Sequence, residues 1–339
     1  MPTVHRSATL ILSSMLLVPC SPAAAPGTAA AATPAAASHG HPPHTIPEAA
    51  PATSLRGNTA APRPAPASRS GSGRGLRFAR RADGRIVVPV HIGGTGPYQF
   101  VLDTGSNLSV VSDALAGRLG LSPVARVSVS SPSGLEERLV VAAAQVQAGG
   151  LALDRLLASV VSESAIRAAA GEVDGLLGAE ALGDRAFTLD YRAGRLEWDD
   201  EAPSQVPATA PLRLDLVARD GRYLVRLPQA NGGPVLELVA DTGADALVLF
   251  DTPRTAHLAL RPAGAGVPMP MLDVGGRVRL VERVIVGTLQ IDRLTWRHQA
   301  AVLVRRAPQE PDTSDGLLPL HRFTRVSIHP AEGYLLLQP

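Results

Sequence analysis

Phe100-Val101-Leu102-Asp103-Thr104-Gly105-Ser106 is an apolar run that ends in an acidic turn, and Leu238-Val239-Ala240-Asp241-Thr242-Gly243-Ala244 repeats it further along the chain. A short apolar run bounded by a turn signal reads as a buried strand. One Asp-Thr-Gly would mean little in a chain of 339 residues, but the spacing around the two copies also repeats. Asp113 and Asp251 each lie 10 residues beyond their Asp-Thr-Gly aspartate, and Asp154-Arg155-Leu156 and Asp292-Arg293-Leu294 each begin 51 residues beyond it. Asp174-Gly175-Leu176-Leu177 and Asp315-Gly316-Leu317-Leu318 begin 71 and 74 residues on. Each unit closes on a strand and a turn, Phe187 to Leu196 and Val326 to Leu335. A repeat of about 130 residues is far longer than the period of a solenoid and reads as a duplicated domain.

Between these landmarks the pattern is of short strands with turn signals, so the fold is expected to be mainly β. Ile86 to Val90 reads as a strand placed at an edge by Pro89. Gly93-Gly94-Thr95-Gly96-Pro97 leads into another strand, not into the helix N-terminus that a phosphate loop needs. Val127 to Val141 reads as a long hairpin with its tip at Ser131-Pro132-Ser133-Gly134. Arg277 to Val286 takes the same place in the second unit, after Gly275-Gly276. Short helices are expected near Ala114–Leu119 and Ser162–Ala170. The first unit spans residues 76–205 and the second 206–339.

The chain before residue 76 is of another kind. His5 and Arg6 precede an apolar run from Ala8 to Val18, and Ala23-Ala24-Ala25 follows as a small-residue cleavage site. The run is short for a stable membrane span and reads as an export signal over residues 1–25. Leu17-Val18-Pro19-Cys20 resembles a bacterial lipobox with Pro19 as a departure, making Cys20 the candidate lipid anchor; the alternative is an incidental cysteine. Residues 21–75, rich in Ala, Pro, Ser, Gly and Thr, are expected to be a disordered linker, either tether or propeptide. The protein is therefore expected in the periplasm or outside the cell, touching membrane only through that anchor.

All 32 basic residues are arginine, aromatic residues make up 3%, and the net charge is +2. Five of the arginines and a single acid, Glu48, fall in residues 1–75, so the remainder is slightly negative. That balance excludes the basic footprint of a nucleic-acid binder. The lone cysteine rules out an intrachain disulfide. The histidines show no ligand spacing, and neither metal nor other cofactor is called for.

The two motifs resemble those of the aspartic peptidases. The family pattern is an apolar strand into Asp-Thr-Gly-Ala/Ser, then a later Gly after two apolar residues. Asp103-Thr104-Gly105-Ser106 with Leu176-Leu177-Gly178 matches it. So does Asp241-Thr242-Gly243-Ala244 with Leu317-Leu318, except that Pro319 stands where the family has Gly. The resemblance covers roughly residues 84–339 and implies two tandem retropepsin-like β-barrel lobes arranged as a pepsin-like bilobed pseudo-dimer within a monomer. It implies Asp103 and Asp241 as catalytic residues. Thr104 and Thr242 would grip across the lobes, with Gly105, Ser106, Gly243 and Ala244 in support. Ser131, Pro132, Ser133, Gly134, Gly275 and Gly276 would be flap positions over a peptide or protein substrate.

The chemistry suits the residues. Two facing carboxyls cannot both ionise easily and so share one proton, a behaviour for which the aspartic proteases are themselves the standard example. The ionised member can take a proton from water while the protonated one donates to the scissile carbonyl. Ser106 follows the first motif and Ala244 the second, so a hydroxyl beside Asp103 would leave the charge there and the proton on Asp241. Asp174, Asp315, Asp154 and Asp292 read as turn or strand-end residues. The expected activity is that of an endopeptidase, against two alternatives: a catalytically inactive peptide-binding relative, and a structural envelope lipoprotein.

Overall fold

The computed structural model describes residues 10–11, 15–16, 75–131, 134–198, 211–264, 266–306 and 314–339. Two short strands come first, β1 (Leu10–Ile11) and β2 (Met15–Leu16). The first repeat then runs β3 (Leu76–Arg77), β4 (Ala79–Arg80), β5 (Ile86–Ile92), β6 (Thr95–Asp103), β7 (Ser109–Ser112), α1 (Asp113–Arg118), β8 (Pro123–Ser131), β9 (Gly134–Ala148), β10 (Leu151–Val161), α2 (Glu163–Ala170), β11 (Gly175–Gly178), α3 (Ala179–Leu182), β12 (Phe187–Asp190) and β13 (Arg195–Trp198). The second runs β14 (Leu212–Arg219), β15 (Arg222–Pro228), β16 (Val235–Asp241), β17 (Leu247–Phe250), β18 (Leu260–Pro262), β19 (Met269–Asp273), β20 (Val278–Ile291), β21 (Leu294–Val304), β22 (Gly316–Pro319), β23 (Arg325–His329) and β24 (Tyr334–Gln338).

Strands β5, β6, β11, β7, β10 and β9 pair in that order, and β9 returns to β5, closing a six-stranded barrel. Strands β15, β16, β22, β17, β21 and β20 repeat the order in the second half. There the ends are joined by a side chain: Gln229 Nε2 donates to Gln290 O at 3.3 Å and Gln290 N donates to Gln229 Oε1 at 3.1 Å. The central strands β7, β11, β17 and β22 are buried along their whole length, which is why the sequence runs apolar there without alternation. Strand β14, covered on one face, alternates buried Leu212, Leu214 and Leu216 with exposed Arg213 and Asp215.

The sheet of the second half continues through β14 into the closing hairpins of both halves. Hairpins β23–β24 and β12–β13 pair through β23 and β12, from Phe187↔Ile328 to Asp190↔Arg325, and β3 forms the far edge. The fold is thus mainly β with two barrels of matching strand order, as expected.

Three details differ from the sequence reading. Pro89 does not mark an edge strand: β4 pairs with β5 at Ile86–Val87 and β9 pairs with it at His91–Ile92, and the proline sits in the gap between. Asp154 and Asp292 are not equivalent, although both stand 51 residues past their aspartate. Asp154 lies within β10, whereas Asp292 has a positive φ in the turn between β20 and β21. The register sets Ala158 beside Ser109 and Ala301 beside Leu247, so the second barrel holds extra residues before this strand. The hairpin expected over Val127–Val141 starts earlier, at Pro123, which pairs with Val141. Pro132, Ser133, the boundary at 205/206 and Cys20 lie outside the described residues.

Candidate active site

Strands β6 and β16 end in Asp103 and Asp241, and both carboxyls are fully buried where the barrels meet. They are close enough to hydrogen-bond each other. The glycines explain how. A Cβ on Gly105 would collide with the Asp241 carboxyl, and one on Gly243 would lie 2.6 Å from Asp103 Oδ1, so neither turn tolerates a side chain.

The threonines fix the approach. Thr104 Oγ1 donates to Ala240 O at 2.7 Å and Thr242 Oγ1 donates to Leu102 O at 2.6 Å. Each hydroxyl oxygen also accepts the other's amide, Thr104 N at 3.0 Å and Thr242 N at 3.1 Å. These four bonds cross between the barrels, are buried, and relate the halves by an approximate two-fold axis. Two further contacts follow the same exchange. Gly221 of the second half packs on Asn107, whose Nδ2 donates to Asp220 O at 2.6 Å, and Gly84 of the first half packs on the His321 ring.

Behind each aspartate an equivalent acid anchors the strand. Asp174 Oδ2 accepts Gln99 N at 2.9 Å and Asp315 Oδ2 accepts Glu237 N at 2.8 Å. Both therefore brace β6 and β16, away from the dyad.

Burial pushes the Asp103 carboxyl up to about 6, against the pull of its hydrogen bonds with Asp241 and with the Gly105 and Ser106 amides. Burial and the charge of Asp103 push Asp241 well above the ordinary range, against the Gly243 and Ala244 amides. The two titrate as a coupled pair. The contact expected to favour charge on Asp103 is not made: the Ser106 hydroxyl donates to Leu108 O at 2.7 Å, not to the carboxylate. Ser106 acts on Asp103 through its backbone.

The Gly275-Gly276 turn reaches the other half. Val274 is buried within an apolar cluster of the first barrel, and Gly276 meets Ala165. Arg277 Nε lies 3.3 Å from Glu136 Oε2, and Glu136 also pairs with Arg138, both on β9. Ser131 and Gly134 form the last pair of the β8–β9 hairpin.

Several residues complete the site beyond those expected. Ser109 and Glu180 lie under the Asp103 turn, and His321 takes the matching place in the second half; their roles depend on tertiary pairing and leave no local signal. Asp83-Gly84-Arg85 and Asp220-Gly221-Arg222 did leave one, an identical tripeptide 20 and 21 residues ahead of each aspartate. Both arginines are buried; Arg85 donates to Asp83 Oδ2 at 2.5 Å and to Ala169 O at 3.1 Å.

Residues 88–181 match a family model described as aspartyl protease. The match includes Asp103 and ends before Asp241, so the second half is related to it here by its strand order and register. Among solved structures, basic 7S globulin from soybean is similar at 11% identity and TM-score 0.44, over 78% of this chain and 94% of that one. Conglutin gamma from lupine seeds is similar at 14% identity and TM-score 0.41, over 78% and 94%. Aspartic proteinase from Irpex lacteus is similar at 12% identity and TM-score 0.42, over 79% and 97%. No curated protein matches the chain.

Proposed function

We propose that this protein is an aspartic endopeptidase that hydrolyses peptide bonds with a water activated between Asp103 and Asp241. The observation that carries the proposal is the pair of buried carboxyls held face to face by reciprocal threonine bonds. Such a pair shares one proton. The ionised member accepts a proton from water, the protonated member donates to the carbonyl oxygen, and the roles reverse as the amine leaves. One chain supplies both carboxyls, so a monomer suffices. An extended peptide would lie between the barrels under the β8–β9 and β19–β20 hairpins. Export through residues 1–25, with Cys20 as an anchor, puts the activity in the cell envelope or outside it.

The test is hydrolysis of an unfolded protein such as casein with and without pepstatin, over pH 3 to 9. Cleavage that pepstatin abolishes supports the reading. A second reading, peptide binding without hydrolysis, is favoured by the complete burial of both carboxyls. It would show as pepstatin or peptide binding with no cleavage at any pH.

A further inference from the structure

We propose that Glu180 is a positioning residue for Asp103: its carboxyl clasps the turn that carries Asp103, and its charge acts on the first ionisation of the dyad. The inference rests on the peptidase reading above.

The clasp is a short chain of hydrogen bonds. Glu180 Oε1 accepts Ser109 N at 2.6 Å and also accepts the Ser109 hydroxyl. Ser109 Oγ in turn accepts Gly178 N at 3.0 Å. Ala179 N donates to Ser106 O at 2.8 Å. Residues 178–180 therefore grip both ends of the Ser106–Ser109 segment that follows the aspartate. The fit leaves no slack, since a Cβ on Gly178 would collide with Glu180 Oε2.

Oε2 itself is shut from solvent and has no hydrogen-bond partner among the described residues. A side chain needed only to hold Ser109 could be neutral, because one carbonyl oxygen accepts both bonds. An acid here places a third titratable group in the electrostatic field of the dyad, and its negative charge raises Asp103. Burial lifts Glu180 to about 7, offset by the Ser109 bonds, so its charge changes within the neutral range.

Among the described residues, the strands packed against α3 bring no cation into contact with this charge. Helix α3 packs against β7, β10, β11 and β15. Strands β7 and β11 carry no titratable side chain, and Asp154 and Arg155 of β10 are exposed. From β15, Tyr223 feels Glu180, Arg226 is exposed, and buried Arg222 responds to Asp220, Arg306, Asp241 and Arg219. The matching place in the second half carries an opposite kind of group. The pairs Gly178↔Asp103 and Pro319↔Asp241 make His321 the counterpart of Glu180, and burial with Arg80 and Arg322 holds its imidazole below the ordinary value.

The test is the pH profile of kcat/KM for a quenched fluorescent peptide, with wild type, Glu180→Gln and Glu180→Ala. Glu180→Gln preserves the acceptor for Ser109 and removes the charge. It is expected to keep peak activity within about threefold and to move the acid limb, set by the first ionisation of the dyad, down by roughly half a pH unit, leaving the alkaline limb in place. Glu180→Ala should lose most activity with the clasp. A Glu180→Gln profile that superimposes on that of active wild type overturns the inference alone. Wild type that cleaves nothing at any pH overturns the peptidase reading and this inference with it. Should Glu180→Gln fail to fold, a carbon-13 carboxyl titration of wild type replaces it: three coupled carboxyl titrations, all above the ordinary carboxyl range, support the proposal, and only two overturn it.

Discussion

Behind Asp103, the Gly178 amide donates to the Ser109 hydroxyl and that hydroxyl to Glu180; behind Asp241 the same three places hold Pro319, Leu247 and His321. The exchange is coordinated. Proline has no N–H, so an apolar leucine can face it without leaving a buried donor unpaired. Pro319, the one departure from the family motif, is thus matched by a second change that sequence spacing alone did not single out. The barrels differ in closure as well, one by pairing of β5 with β9 and the other by the Gln229 side chain. What stays alike is the aspartate, threonine and glycine at the dyad, and the acid that braces each aspartate's strand from behind. The difference teaches that two-fold symmetry is kept at the dyad and in the strands that carry it, and relaxed in the segment behind each aspartate.

The largest test of that contrast is at the symmetric centre. Asp103→Asn and Asp241→Asn are each expected to lower kcat/KM by about 10³-fold or more, with the double variant no worse than either single one. Mixing the two single variants should restore nothing, because one chain supplies both carboxyls. Appreciable activity in either single variant would mean that the halves contribute unequally even there.

At the asymmetric positions the two halves should respond differently to similar changes. Gly178→Ala is expected to destabilise by roughly 1–3 kcal/mol through overpacking against Glu180. Pro319→Gly should cost only about 0.5–1 kcal/mol, through greater freedom of the unfolded chain. Urea unfolding measures both, and equal costs would erase the distinction.

Acidity offers a third comparison. The Asp103 carboxyl has an ordinary value of 3.8 and is raised to about 6 on folding, so between those values the folded state holds the extra proton. Its contribution to stability is therefore fullest at low pH and is lost as pH rises through that window. The melting temperature of wild type should fall by several degrees over it, and the slope should be shallower in Asp103→Asn. A melting temperature that rises there would place the sign of the shift in the wrong direction.

The smallest effect is expected at the seam of the second barrel. Gln229→Ala removes the bond to Gln290 O and the acceptor for Gln290 N, at about 1–2 kcal/mol. No loss in thermal unfolding would show that the side-chain bridge contributes nothing to closure.

Much of this was readable from the residues. The apolar runs into Asp-Thr-Gly are continuous because their strands are buried on both faces, and that texture survives in sequence. Asp174 and Asp315 were equivalent, as their spacing implied, because both accept an amide of the neighbouring strand that carries the aspartate. Asp154 and Asp292 misled for the opposite reason: an equal count of residues conceals a longer stretch between β17 and β20 in the second half than between β7 and β9 in the first. Glu180 and Ser109 meet only because β11 and β7 are neighbours in the sheet, and no local pattern announces such a contact. Whether a serine hydroxyl turns toward a carboxylate or toward a carbonyl, as at Ser106, depends on the turn geometry alone.

The pairing of β12 with β23 has a consequence for inheritance. Because the two halves are joined through one sheet and one polypeptide, a mutation is written into one barrel only. An assembly of two identical chains would have to carry each change twice. A single chain lets the place behind one aspartate hold an acid and the place behind the other an imidazole, so the surroundings of the two carboxyls can diverge independently.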